Sequence, residues 1–339
     1  MKETLASIAQ RTGVSITTVS RILSGKSAKY RISPKTAELV KAEAKRCKYS
    51  SKHIAQHLRS NLTHSIGLLV PSLSNQYFAE MASVLITEAS KRKYNVIIID
   101  TMEDEAVLRR GITTLIEKKV DGMVVVPCGD DPMWLEQIDR TLLPVVLIDR
   151  YYENSPLSYV ITNNYQGGLM ATNHLLGMGH RQIACIQGIM SSMPNAERVA
   201  GYKSAMEQAK AADHILVVGN EFTIQNGYTE TKLLLSKGYR PTAIFALSSN
   251  VLLGVMKALR EAGLRIPDDV SLISFDNYFY LDFMEPPISR ISQPVEDMGS
   301  LAIKILFEKI NHERNTNSQL RLSPTLIEGK SVIITQNSI

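Results

Sequence analysis

Residues Thr4–Gly25, TLASIAQRTGVSITTVSRILSG, decide how the rest of this chain is read. Thr4 suits a helix N-cap, and Leu5, Ile8 and Ala9 fall on one helical face at i, i+3, i+4. Thr12-Gly13-Val14 breaks that pattern, with Gly13 free to take the left-handed backbone of a sharp turn. Ser15 can cap a second helix, whose buried side is Val19, Ile22 and Leu23, while Ile16, Thr17, Ser20 and Arg21 point the other way. Two short helices joined this way form a helix-turn-helix, whose second helix enters the DNA major groove and turns its N-terminal residues to base edges. The spacing alone equally suits two helices of an ordinary bundle, and the rest of the chain has to decide.

Charge decides part of it. Residues 1–63 hold 13 lysines and arginines against three acids, +10, and the other 276 residues hold 25 against 30, −5. A basic head on an acidic body fits polyphosphate binding, which needs cations on one face to release condensed counterions. Cys47, Cys128 and Cys185 are scattered with no CxxC. That argues against a disulfide framework or a structural zinc and fits a reducing, cytoplasmic setting. No apolar run approaches the roughly 18 residues of a membrane span, and no apolar signal segment opens the chain, so no membrane partner is expected.

After Gly25 a polar basic loop runs to Ile32, and Ser33-Pro34 starts a third helix whose inner face is Ala37, Val40, Ala44 and Cys47. Residues 1–49 thus read as a small headpiece with a thin core. Residues 50–63, SSKHIAQHLRSNLT, read as a linker in which Ile54, Ala55 and Leu58 allow one short amphipathic helix, stable only when packed or bound.

From Ser65 the pattern is βα. Buried-strand runs are expected at 66–70, 96–99, 123–126 and 145–148, then at 183–186, 215–218, 243–247, 272–275 and 332–334. Between them lie helices, among them Phe78, Met81, Ala82, Leu85, Ile86 and Ala89 on one face, a helix through Leu108–Ile116, one near Glu197–Ala209, one from Gly227, one ending at Ala262, and Val295–Ile310. Continuous β-branched strands alternating with helices indicate parallel sheets covered on both faces, here two doubly wound lobes. Ligands of such sheets sit beyond the strands' C-terminal ends. Those ends read Pro71–Phe78, Asp100-Thr101, Pro127-Cys128, Asp149-Arg150, Ser248–Asn250 and Asp276–Phe279, a polar and aromatic lining suited to a small molecule.

With these segments in hand the chain resembles the lac repressor/galactose repressor family of bacterial transcription regulators nearly end to end. TLASIAQRTGVSITTVSRILSG is similar to its helix-turn-helix, AQHLRSN to its hinge helix, and SIGLLVPSLSNQYFAEM to the entry of its effector domain. VDGMVVVP, PVVLIDR, LLGMGHRQIACIQG, ERVAGY, GYRPTAIFA, GLRIPDDVSLISFDN and ISQPVEDMGSLAIKIL follow as landmarks in order. The fold this implies is an α-helical headpiece followed by a two-lobed, periplasmic-binding-protein-like α/β effector domain at 64–339. Its N-lobe would be about 64–162 and 292–326 and its C-lobe about 163–291 and 327–339, with crossovers near Asn163, Ile291 and Ile327.

The resemblance also implies roles. Ile16, Thr17 and Arg21 match base-reading positions; the chemistry agrees, since Arg can grip guanine O6/N7 and Ile can pack on a thymine methyl. Ser15, Thr18 and Ser20 flank them, and Lys29, Arg31 and Arg59 are expected at the DNA. Leu58 matches the hinge leucine wedged into the minor groove at the operator centre, and the small Ala55 lets two hinge helices lie close. The chain departs from the family at Ser50-Ser51, where a proline is common, and in a longer Ser24–Ser33 loop. Tyr77, Phe78, Arg150, Arg198, Phe222 and Asp276 match effector contacts, with Arg150 alternatively pairing with Asp149 or Asp276. Ser249 and Thr162-Asn163 stand where relatives often carry Asp and Asp-Asn, which leaves the sugar chemistry open. Ser192 and Pro194 replace the Arg and Thr of the purine repressor, which argues against a purine. His180 reads as a helix-end cap.

The implied function is a DNA-binding repressor, controlled by a sugar or sugar derivative and reading a pseudo-palindromic operator as a homodimer. No leucine heptads follow the last strand, so a coiled-coil tetramer is not expected. A sugar-binding protein of the same fold without a regulatory role is the alternative. Among enzyme motifs GxGxxG, Walker A, GxSxG and HExxH are missing, so neither catalysis, cofactor nor metal is expected.

Overall fold

The computed structural model describes residues 4–23, 25–47, 62–313 and 317–335. The chain divides into two compact units between His64 and Ser65.

The first unit holds α1 (Leu5–Thr12), α2 (Ile16–Leu23) and α3 (Pro34–Arg46). The Ser7 N–H donates to Thr4 Oγ1 and the Thr4 N–H donates to Ser7 Oγ, a reciprocal cap that satisfies two otherwise orphaned donors. Gly13 closes α1 at φ 68°, the left-handed turn that a side chain would resist. Ser15 Oγ accepts from the Thr18 N–H, and Ser33 Oγ accepts from the Thr36 N–H with Pro34 at the first helical position. Ile8, Ala9, Val19, Ile22, Ala37, Val40 and Ala44 make the core. Cys47 is only half-buried at its edge. Glu43 on α3 pairs with Arg11 on α1 at 3.1 Å. With so few buried side chains the unit is thinly stabilised.

The second unit contains two six-stranded sheets. The first has the order β11-β5-β4-β3-β1-β2, with β1 Ser65–Val70, β2 Asn95–Asp100, β3 Met123–Val125, β4 Val145–Ile148, β5 Ser158–Thr162 and β11 Gln319–Leu322. The second has the order β12-β10-β9-β8-β6-β7, with β6 Ile183–Ile186, β7 Leu216–Val218, β8 Ala243–Ala246, β9 Ser271–Phe275, β10 Ser289–Ser292 and β12 Thr325–Ile327. Among the described residues every pairing is parallel except β10 with β12. The helices are α4 (Gln76–Lys91), α5 (Glu105–Glu117), α6 (Met133–Thr141), α7 (Asn164–Gly177), α8 (Met193–Gln208), α9 (Ile224–Ser236), α10 (Ser249–Glu261) and α11 (Val295–Ile310). Central strands are buried along their length, save Ser65 at the start of β1, as apolar runs between two helical layers must be.

Four expectations are corrected. Residues 332–334 form no strand: the Leu272 N–H bonds to the Ser331 carbonyl, while the Ile333 N–H goes to the Ser271 hydroxyl instead of a ladder carbonyl. The partner beside β10 is β12 instead, so the third connection between the sheets is the stretch 323–324 and Ile327 lies inside a strand. Ile291 likewise lies within β10, and the chain leaves that sheet at Gln293. Ile86 sits on the exposed side of α4, because that helix covers the sheet through Phe78, Met81, Ala82, Leu85 and Ala89.

Candidate functional site

In the first unit Ser15, Ile16, Thr17, Arg21, Lys29 and Arg31 are exposed, Ile16 by 52%, and Thr18 and Ser20 are half-buried. The Ser15 and Thr18 hydroxyls are hydrogen-bonded to each other at 2.8 Å, so these two serve the cap as well as the surface. The Arg21 guanidinium lies 4.0 Å from the centre of the Tyr30 ring, which gives the arginine a platform. The loop bearing Tyr30 is folded: the Lys26 N–H bonds to the Arg21 carbonyl, Tyr30 to Lys26, Ile32 to Ser27, and Ile32 packs on the core. Arg31 takes φ 51° to close it. Ala55, Leu58 and Arg59 lie outside the described residues.

In the second unit a cleft of about 920 Å³ lies beyond the strand ends, and all six expected effector residues line it: Tyr77, Phe78, Arg150, Arg198, Phe222 and Asp276. The two lobes place matching carboxylates there. Asp149 follows β4 and Asp276 follows β9, each in the left-handed region, at φ 69° and 79°. That backbone is tolerated by Asp better than by most residues and turns each carboxylate inward.

Each carboxylate is held by a hydrogen bond of its own, and the two donors stand side by side. The Tyr77 hydroxyl donates to Asp149 Oδ1 at 2.7 Å and approaches Gln293 Oε1 at 3.3 Å. Gln293 Nε2 donates to Asp276 Oδ1 at 2.7 Å, and the Ser249 N–H at the start of α10 donates to Asp276 Oδ2. Burial, then Asp149, pushes the Tyr77 hydroxyl well above its usual range, so it stays a neutral donor. Burial raises Asp149, against Arg150 and the Tyr77 hydrogen bond.

Two buried arginines complete the site. Arg198 on α8 donates from Nε to Asn164 Oδ1 and from Nη1 to the Leu247 carbonyl, both at 2.8 Å, and lies 3.6 Å over the Phe275 ring. Burial lowers its basicity while Asp276 and Asp149 counter that; a guanidinium remains charged throughout. Arg150 makes a bidentate pair with Glu103, and its Nε is 3.7 Å from Asp149 Oδ2. Burial of Arg150 disfavours its charge, but Glu103 outweighs that and the net shift is upward. Of the two structural partners expected for Arg150, Asp149 is the one within ion-pair distance and Asp276 is not.

Residues 4–51 match the model described as bacterial regulatory proteins, lacI family, and residues 172–332 match the periplasmic binding protein-like domain. The ribose operon repressor of Haemophilus influenzae is 31% identical over 97% of this chain and 98% of its own. The chain belongs to the lacI family. It is a DNA-binding transcriptional regulator with an effector-type α/β domain. The HTH-type transcriptional repressor PurR of Vibrio atlanticus is 32% identical, covering 97% of this chain and 98% of that one. The crystal structure of the lac repressor dimer bound to operator and the anti-inducer ONPF superposes with a TM-score of 0.84 at 24% identity, covering 98% of this chain and 100% of that one, a likeness of fold.

Seen as a lacI-family effector domain, the cleft has parts the sequence did not single out. Gln293, Glu103 and Asn220 line it. Gln293 lies in the ISQPVEDMGS landmark with nothing in the local pattern to mark it, and Glu103 follows a strand end by three residues. The departures at 249 and 162 serve the frame: Ser249 Oγ donates to the Phe275 carbonyl, and the Thr162 hydroxyl donates to Gln293 Oε1 at 2.7 Å. Of Asp276–Phe279 only Asp276 reaches the main cleft; Phe279 is 73% exposed. His180 is no side-chain cap. It is buried between Thr242 Oγ1 and the Ile333 carbonyl, each 3.0 Å from a ring nitrogen.

Proposed function

We propose that this lacI-family protein is a repressor of carbohydrate-metabolism genes whose operator affinity is set by a sugar or sugar derivative in the cleft around Asp276 and Arg198. The observation that carries the reading is the hydrogen-bond chain Thr162–Gln293–Asp276, with the Tyr77–Asp149 bond beside it. It lies in the ligand cleft and across the seam between the lobes, so a ligand that bonds to the carboxylates this frame orients changes how the lobes are held. Coupling then follows from the ligand's different affinity for the two lobe arrangements.

Residues 1–49 act as the DNA-reading headpiece and 50–63 as the hinge, with Leu58 as the wedge and Ala55 at the hinge-helix contact. Ile16, Thr17 and Arg21 read bases; Ser15, Thr18, Ser20, Lys29, Arg31 and Arg59 hold the frame and the phosphates. Two copies read a pseudo-palindromic operator, since a two-fold protein matches a two-fold site. The protein works where the chromosome is, in the cytoplasm. We read the cleft as a binding site and not a catalytic one, because its carboxylates are engaged by the Tyr77 hydroxyl, the Gln293 amide and the Ser249 N–H. The +10 charge of residues 1–63 favours this over a sugar-binding protein with no regulatory role.

The test is a gel shift on the DNA upstream of the protein's own gene, with and without a sugar panel. A salt-sensitive, sequence-selective shift that responds to one sugar is expected. Binding that ignores sequence, or a selective shift that no sugar alters, overturns the reading.

A further inference from the structure

A second cavity of about 350 Å³ adjoins the main cleft. Four residues face both spaces: Glu103 and Arg150 from the first lobe, Ile189 and Ser192 from the second. The bidentate Glu103–Arg150 pair therefore forms the sill between two chambers. On that sill two buried polar atoms have no hydrogen-bond partner, Arg150 Nε and Ser192 Oγ, the serine being 6% exposed. Such groups are costly to leave unmade, and they come from opposite lobes, so a shift of the lobes that opens them to ligand hydroxyls would satisfy them and hold the lobes in that arrangement.

The charges choose the ligand. The main chamber is lined by Glu103, Asp149, Glu221 and Asp276 against Arg150 and Arg198. The side chamber has Glu103, Asp130 and Glu153 against Arg150 alone. An anionic group would meet net repulsion in either space, whereas hydroxyls can donate to carboxylates and accept from guanidinium. Tyr151 and Tyr152 line the side chamber, and Tyr151 is braced by Tyr159 and by the Arg321 guanidinium 4.7 Å from its ring. Fixed aromatic faces of this kind suit the C–H face of a sugar ring. The main chamber alone sits near the top of the roughly 300–1,000 Å³ range of ligand pockets.

We propose that the effector is a neutral two-unit glycoside. Its first unit lies at Asp276 and Arg198, its second lies in the side chamber at Tyr151 and Tyr152, and the linkage crosses the Glu103–Arg150 sill. This rests on the reading of the cleft as a sugar site and adds the length and charge of the sugar.

Calorimetry on the full-length protein tests it with maltose, cellobiose, lactose and trehalose beside glucose, galactose and glucose 6-phosphate. At least one disaccharide is expected to bind about tenfold or more tightly than its component monosaccharides and the phosphate. Ser191→Trp, which fills the side chamber from an exposed position, should bring that ratio to near one. Ser192→Ala should weaken the disaccharide about tenfold. A monosaccharide or the phosphate binding as tightly as any disaccharide overturns the proposal, as does a ratio that survives Ser191→Trp. Binding of no sugar at all overturns the underlying sugar reading instead.

Discussion

Gln293 donates to Asp276 at 2.7 Å through Nε2, while its Oε1 accepts from Thr162 at 2.7 Å. The amide has only one good orientation here: reversed, its oxygen would face the Asp276 carboxylate, two acceptors with no proton between them. Gln293 lies on the connection that leaves β10 for α11, and α11 packs on α4 and on the first sheet's β3, β4 and β5. One side chain thus ties the C-lobe carboxylate to the chain segment that enters the N-lobe.

Replacing Gln293 with Leu should therefore loosen the lobes and weaken the effector together. A hydrogen bond to a charged group contributes about 1.5–3 kcal/mol, which is roughly tenfold to a hundredfold in affinity. Calorimetry should show that loss and small-angle scattering a larger radius of gyration for Gln293→Leu. Asp276→Ala should abolish binding, because it removes the ligand acceptor as well as the latch. Unchanged affinity in Asp276→Ala would place the effector elsewhere.

Arg21 and Tyr30 should act as one reading unit. Arg21→Ala is expected to relax specificity at one base pair and to cost about 1–3 kcal/mol there. Tyr30→Ala removes the ring 4.0 Å from the guanidinium and should relax the same base pair by about 0.5–1 kcal/mol, the size of an exposed cation–π contact. Tyr30→Phe keeps the ring and should behave as wild type. Binding-site selection followed by anisotropy titrations checks this. Equal weakening on every sequence in Tyr30→Ala would show that the tyrosine only supports the loop.

What the sequence made legible follows from how local each cause is. Caps and turns such as Thr4, Gly13 and Ser33 act within four residues, so their residue types announce them. Buried central strands such as β4 and β9 are continuous apolar runs and were visible for the same reason. The edge strand β11, with its alternating QLRL, and the polar β10, SRIS, carry no such run and gain their strand form from neighbours far away in sequence. Asp276 stood out as a carboxylate ending a strand. Gln293, 17 residues further on, could not, because its importance lies in what it touches. The Glu103–Arg150 pair spans 47 residues and was invisible likewise.

The close approach of α7 and α8 positions Arg198, and a single methyl group should disturb it. A Cβ on Gly168 would lie 2.2 Å from the Arg198 carbonyl oxygen, a backbone atom that cannot swing aside. Gly168→Ala should push the helices apart, at about 1–3 kcal/mol of stability as in other overpacked cores. It should also draw Arg198 from Asn164 and the Leu247 carbonyl, so effector affinity falls although no ligand contact is mutated. Urea denaturation and calorimetry on the same preparation check both effects. Lost stability with unchanged affinity would mean that Arg198 is held by its own bonds and not by the helix packing.

His180 should make the effector domain sensitive to mild acid. Burial holds its imidazole below the ordinary value of 6.5, against the opposing pull of the Ile333 carbonyl, and His174, itself lowered by burial, adds to the effect. Above that ordinary value the ring is neutral in both folded and unfolded chains and adds no pH dependence. As pH falls below it the unfolded chain takes up a proton that the folded chain refuses, so stability declines until the folded ring itself protonates. The urea midpoint should therefore drop between about pH 7.5 and about pH 5.5, where the ordinary carboxylates stay ionised. His180→Gln can still bridge Thr242 and the Ile333 carbonyl through its amide but does not titrate. Its midpoint should be lower than wild type at the upper pH and should fall less over the same interval. An equal fall in both proteins would mean that His180 accepts its proton without leaving its place between Thr242 and Ile333, and that the acid sensitivity arises at His174 or elsewhere.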